Sequence, residues 1–323
     1  MAPHRARRRR IRRSGRRTLV HTVVASAVLV GGTAVGAVYV KAQAHDRGRL
    51  VSSPSASPGT SSSASAASSS PSQEASVEPV TEPTVDRDAL LAEAMKAVAL
   101  GNGAAVSVAV FDIDSGEGAA YGEGAFDTAS IVKVDILATL LLQAQDADRH
   151  LTAAEKTYAT AMITNSDNAS ASALWDIIGQ ADGLDAANER FGLTGTSGGD
   201  GALWGLTQTT AADQLTLLQQ VFGDDSALGE ASRTYLQGLM GEIAADQHWG
   251  VSAAADGTRW ALKNGWLARS STGLWDINSI GRVTVDGDEY LVATLSNGNT
   301  TKAKGISLVE AAAKAAVAAF SAA

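Results

Sequence analysis

From about residue 85 onward, apolar residues recur with two different periods. "VDRDALLAEAMKAVAL" (85–100) carries them at helical spacing, which predicts an amphipathic helix ending before Gly101. "AAVSVAVFDID" (104–114) alternates with a period of two, "SGEG" is a turn, and "AAYGEGAF" (119–126) returns. That pattern predicts a β-hairpin. An apolar helix follows in "IVKVDILATLLLQAQ" (131–145), and helical spacing then continues through five segments between about 152 and 245. Strand character resumes in "TRWALKNG" (258–265), "GLWDINSIGRVTV" (273–285) and "EYLVATLS" (289–296), with "DGD" (286–288) as a tight turn. An Ala-rich helix, about 305–321, closes the chain.

The order is therefore helix, two strands, a helical block, three strands, helix. Elements in that order pack as an α+β, three-layer domain. One five-stranded antiparallel sheet, assembled from both ends of the chain, is flanked by the N- and C-terminal helices. The middle of the chain forms an all-helical subdomain.

The first quarter follows neither period. Residues 1–17 are a dense basic run, and 18–40, "TLVHTVVASAVLVGGTAVGAVYV", hold no acid, lysine or arginine. A hydrocarbon core is crossed by about 20 such residues. The basic flank stays on the cytoplasmic side, so the rest is exported. Residues 18–40 are thus expected to be a transmembrane anchor or uncleaved signal in the cell membrane. Cleavage after "AQA" (42–44) would instead release a secreted protein. Residues 41–85 are dominated by Ser, Ala and Pro, too poor in large apolar groups to form a core, and predict a disordered linker.

Composition then narrows the function of residues 86–323. They carry 14 Lys and Arg against 30 Asp and Glu, a charge near −16, which argues against nucleic acid as a partner. With no cysteine in the chain, thiolate nucleophiles, disulfides and Cys-bound metals are excluded. No metal or nucleotide motif stands out, so no cofactor is expected, and the domain is expected to be a monomer.

Three short motifs carry candidate chemistry. In "DTASIVKVDIL" (127–137), Ser130 and Lys133 are three apart at a helix start, on one face, with Asp127 or Thr128 available as the cap. A partly desolvated lysine can take the proton that makes a serine nucleophilic, and a helix N-terminus stabilises an anion forming beside it. "AMITNSDNASASALW" (161–175) holds Ser166, Asp167 and Asn168 between two helices. "RWALKNGW" (259–266) has Lys263, Asn264 and Gly265 leaving an apolar strand, followed by Trp266. Each alone reads more readily as a helix cap, a surface lysine or a strand end than as a site.

Together, in this order, they resemble the S-x-x-K, S-D-N and K-[ST]-G motifs of class A β-lactamases and penicillin-binding proteins. The likeness runs from about residue 88 to the C-terminus. It implies that Ser130 is the acylated nucleophile and Lys133 its proton partner. Ser166 would relay a proton to the leaving nitrogen and Asn168 would hold the substrate amide. Asp167 would tie the loop down. Lys263 and Asn264 would meet the substrate carboxylate, Gly265 would let the strand approach closely, and Trp266 would line the cleft. The oxyanion would rest between the backbone N–H groups of Ser130 and Trp266. The implied ligand is a small β-lactam or a D-Ala-D-Ala peptide.

This sequence departs from that pattern in three places. The third motif is Lys-Asn-Gly. The Ser130–Ser166 interval is short, which predicts a more open cleft on that side. The E-x-x-L-N stretch that supplies a deacylating base in class A enzymes is missing, and Asp200 is the only acid in 190–210. Without a base, water activation loses on the order of 10²–10⁴-fold. Slow deacylation is therefore expected. Alternatives are a D-Ala-D-Ala carboxypeptidase or transpeptidase, and a non-catalytic cell-wall or β-lactam receptor. The intact Ser130, Lys133, Ser166 and Lys263 weigh against the receptor.

Overall fold

The computed structural model describes residues 85–321. The basic segment 1–17, the apolar segment 18–40 and nearly all of the 41–85 linker lie outside them. No helix among the described residues is long and apolar enough to cross a membrane.

The elements follow the expected order. Helix α1 (Arg87–Met95) starts at Asp86, whose carboxylate accepts from Ala89 N at 3.0 Å. Strands β1 (Ala105–Asp112) and β2 (Gly118–Tyr121) form the first hairpin. The helical block comprises α2 (Val132–Asp146), α3 (Ala153–Thr164), α4 (Asn168–Ile178), α5 (Gln180–Phe191), α6 (Ala211–Phe222) and α7 (Glu230–Gly241). Then come β5 (Trp260–Ala268), β6 (Trp275–Val285), β7 (Asp288–Asn299) and α8 (Lys302–Ser321). Two strands of two residues, β3 (Phe126–Asp127) and β4 (Gln208–Thr209), pair in a separate small sheet.

That small sheet corrects the expected hairpin. Gly122 and Gly124 have φ of 78° and 106°, a left-handed backbone that a strand does not tolerate, so the return strand ends at Tyr121. Phe126 then joins β4 instead.

The main sheet has the order β2-β1-β7-β6-β5 and is antiparallel throughout, as the order of elements predicted. Its two faces bury different partners because side chains alternate along each strand. Val106, Val108 and Val110 of β1, Tyr290 and Val292 of β7, and Leu262 of β5 pack with α1 and α8. Ala109, Leu291, Ala293, Leu295 and Ala261 face the helical block. Strand β5 is the sheet edge and lies against the turn that precedes α2. The functional candidates gather at that seam.

Candidate active site

Ser130 does not follow a side-chain cap. It sits in a 3-10 turn, Ala129–Ile131, flanked by Thr128, whose side chain makes no capping hydrogen bond. Asp127 lies in β3, where its carboxylate is bonded to Arg269 and Gln208. The turn is held by other means. Asn278 Nδ2 donates to the carbonyls of Asp127 and Thr128 at 2.9 and 3.0 Å. Ala129 has φ +48°, a sparsely populated backbone conformation for a residue with a Cβ, immediately before the candidate nucleophile. Gly265 explains how β5 approaches so closely. A Cβ there would lie 2.7 Å from Thr128 O and 2.9 Å from Ser130 N.

Ser130 is partly exposed, whereas Lys133, one turn on, is fully buried. Lys133 Nζ donates to Ser166 O at 2.7 Å, Ser166 Oγ at 3.1 Å and Asn168 Oδ1 at 2.8 Å. These three bonds occupy all the donors of an ammonium. None is left for Ser130 Oγ, and among the described residues no hydrogen bond joins that hydroxyl to Lys133. Burial pulls the Lys133 amine down to about 7, opposed by the nearby Asp167 carboxylate.

Ser166, between α3 and α4, also has a left-handed backbone, at φ +54°. Its Oγ receives a second donor, Lys263 Nζ at 3.0 Å, and Lys263 donates also to Asn264 O at 3.0 Å. Burial, and then the Lys133 charge, hold the Lys263 amine well below the usual lysine range. Two N–H donors fill both lone pairs of the Ser166 hydroxyl, so its own proton is directed elsewhere. Asp167 caps α4, accepting from Ser170 N at 2.7 Å, which is the structural part expected of it. Asn168 is exposed, with Oδ1 engaged by Lys133 and Nδ2 unbonded within the described residues.

Asn264 and Trp266 depart from expectation, and strand geometry gives the reason. Successive side chains of β5 point to opposite faces. Lys263 and Gly265 face the helical block, while Asn264 and Trp266 face α8. The Asn264 amide is fully buried and donates to Gln247 O at 2.7 Å and Trp249 O at 3.0 Å. It braces the segment before β5 and is not a carboxylate donor in the cleft. The Trp266 ring packs near Trp249, with ring centroids 6.0 Å apart, and Lys302 Nζ lies 4.0 Å over it. What β5 turns to its open edge here is backbone. Asn264 O accepts from Lys263 Nζ at 3.0 Å, and Trp266 shares its parity along the strand.

The segment without the E-x-x-L-N stretch also has a defined course. Asp200 is an exposed turn residue whose carbonyl accepts from Leu203 N at 3.0 Å. Next to it stands a residue the motif reading missed. Trp204, in a 3-10 turn (Trp204–Leu206), places its ring centroid 4.9 Å from Lys133 Nζ. Its only sequence signal is a large aromatic in a glycine-rich loop, "GALWGL".

A three-layer sheet-and-helix domain with a serine, two buried amines and a second serine at its seam is the arrangement of β-lactamase-like serine hydrolases. The profile of the Beta-lactamase enzyme family matches residues 155–320, and the chain belongs to that family. No curated protein matches the chain. Among solved structures it is similar to a mutant of PBP-A, solved as an acyl-enzyme complex with penicillin G. That likeness has a TM-score of 0.62 and 19% identity, over 73% of this chain and 97% of that one. It is also similar to the TLA-1 extended-spectrum β-lactamase, at TM-score 0.63 and 14% identity, over 72% and 98%. A β-lactamase from Xanthomonas campestris pv. campestris gives TM-score 0.57 and 21% identity, over 71% and 95%. At such identities the likeness is one of fold.

Proposed function

We propose that this protein is an extracytoplasmic, membrane-anchored serine hydrolase that opens β-lactam amides through a Ser130 acyl-enzyme and deacylates slowly. The observation that carries this reading is the convergence of Lys133, one helical turn after Ser130, and Lys263 on Ser166 Oγ, at 3.1 and 3.0 Å.

The chemistry follows from those contacts. A Lys133 amine that titrates near neutrality is in part unprotonated. It then has two donors and a lone pair, so one of its three hydrogen bonds is released. The lone pair takes the Ser130 proton as Oγ attacks the carbonyl carbon. Oxyanion charge is met by the N–H groups of Ser130 and Trp266; one such donor is worth about 2.7–4 kcal/mol. As the C–N bond breaks, Ser166 passes its proton to the nitrogen and is re-supplied by Lys133 along their hydrogen bond. Asn168 Nδ2 holds the ligand's amide carbonyl, and a ligand carboxylate draws a proton onto the Lys263 amine and pairs with the ammonium so formed. Hydrolysis of the ester then needs an activated water. Asp200 is an exposed turn residue, and the loop that carries it turns Trp204 toward Lys133, which supports slow deacylation.

The absence of a base favours one further reading, a D-Ala-D-Ala carboxypeptidase or transpeptidase that β-lactams inactivate. Incubation with penicillin and a chromogenic cephalosporin, followed by intact mass and absorbance, tests both. A persistent adduct on Ser130 with slow colour release supports the proposal. Rapid turnover contradicts slow deacylation. Acylation and release of a D-Ala-D-Ala peptide, faster than of any β-lactam, selects the second reading.

A further inference from the structure

We propose that Trp204 is a positioning residue of this site, an indole lid that keeps water off the Lys133 amine. The inference rests on the reading of Lys133 as the proton acceptor for Ser130.

Three hydrogen bonds surround Lys133 Nζ, all to Ser166 and Asn168. The indole covers a further side at 4.9 Å. The ring is fixed from several directions. Its Nε1–H donates to Ser172 Oγ at 3.1 Å, one turn along α4 from Asn168. Three residues earlier, Gly201 O accepts from the buried Trp175 Nε1 at 2.7 Å, also on α4. Leu206 N closes the turn onto Leu203 O at 2.8 Å, and Gly199 N donates to Thr207 Oγ1 at 3.1 Å. The loop that carries the ring is thus anchored to the helix that carries Asn168. The same loop also reaches the nucleophile turn. A Cβ added at Gly205 would lie 3.9 Å from Ala129 Cα, within ordinary van der Waals contact.

The charge that bears on the Lys133 amine is that of Asp167, which favours the ammonium; Lys263, packed beside it, is itself lowered by burial and by the Lys133 charge. Burial is the largest influence on the amine and outweighs Asp167. A π face favours a cation, so losing the ring has two opposed effects: it removes that attraction and it admits water. Because burial dominates, admitted water decides the sign, and the amine moves up toward the ordinary lysine range. A base that holds its proton more tightly is competent only at higher pH.

The test is the pH profile of acylation by a fluorescent penicillin, with Ser130 adduct formation read by mass on the whole protein. Wild type is expected to show an acid limb near 7. Trp204→Ala should move that limb upward by about one pH unit or more, about tenfold slower acylation at pH 6. Trp204→Phe, which keeps a ring over the amine, should restore most of the wild-type profile. Ser172→Ala removes only the indole's anchor at an exposed position and should shift the limb by less, in the same direction. An upward shift in either alanine variant supports the lid. A limb unmoved in both, or moved downward in either, overturns it while leaving the Ser130 chemistry in place. A wild-type protein that forms no Ser130 adduct removes the reading beneath it as well.

Discussion

Replacing Gly265 with alanine should damage acylation far more than it damages the fold. The added Cβ would lie 2.7 Å from Thr128 O, 2.9 Å from Ser130 N and 3.0 Å from Ile131 N. Ordinary contact begins near 3.4 Å, so the shortfalls are about 0.7, 0.5 and 0.4 Å. All three atoms are backbone, and no rotamer change can relieve them. Either β5 moves off the turn or the turn moves off β5, by about half an ångström. Overpacking of this size costs about 1–3 kcal/mol, a fall of roughly 2–12 °C in Tm for a domain this large. Displacement on that scale also separates the Ser130 N–H from the position of the oxyanion. Misplacement of about 1 Å costs on the order of 10²-fold in rate, so a 10- to 100-fold loss of acylation is expected. Rates come from the fluorescent penicillin adduct and stability from circular dichroism melting. Acylation within twofold of wild type, with an unchanged Tm, would refute the idea that strand β5 sets the position of Ser130.

Asn264→Ala should leave the carbonyls of Gln247 and Trp249 without their donor and cost about 2–4 kcal/mol of stability, with only a small change in acylation. Loss of ligand binding at an unchanged Tm would return Asn264 to the carboxylate site, and denaturation with paired kinetics distinguishes the two. Asp135, buried on α2, has its carboxyl raised to about 7, mainly by desolvation. The Asn188 amide donates to its Oδ2 at 3.0 Å, while Asp135 Oδ1 and Asn188 Oδ1 are both buried without partners, and a proton on Asp135 is the donor that pair lacks. The folded state then holds this proton where an unfolded carboxylate, near 3.8, has lost it. Its stability contribution is fully present below about pH 4 and is lost as pH rises to about 7, by up to on the order of 4 kcal/mol. Denaturant unfolding at pH 5 and pH 8 should show that slope in wild type and its absence in Asp135→Asn; equal slopes would show that Asp135 is not the group responsible.

Much of the fold was legible because strand alternation and helical spacing are local. The alternation of β1 and the short apolar runs of β5, β6 and β7 between turn signals are enough to give the sheet, and the resemblance of the three motifs implies one site for Ser130, Lys133, Ser166 and Lys263, of which the last three are joined by hydrogen bonds. Asn264 and Trp266 were assigned from motif position. The period of two in β5 says otherwise, since Lys263 facing the helices sends Asn264 toward α8. Strands β3 and β4, two residues each, are too short to show any period. The turn before α2 has the sequence of a capped helix start, yet its geometry depends on Asn278 and Gly265, more than a hundred residues away. Trp204 stands out locally only as a large aromatic in a glycine-rich loop, which does not point to a site. Its role depends on Lys133, 71 positions earlier, and that contact exists only once the helical block has folded.

The central claim is that the Ser130 hydroxyl becomes a nucleophile beside a buried amine. Intact mass of the protein after exposure to penicillin G tests it most directly, with peptide mapping to locate any adduct. The account predicts one penicilloyl group on Ser130 that persists for many minutes, absent from Ser130→Ala and strongly slowed in Lys133→Ala. An unmodified protein, or an adduct that survives in Ser130→Ala, would contradict it.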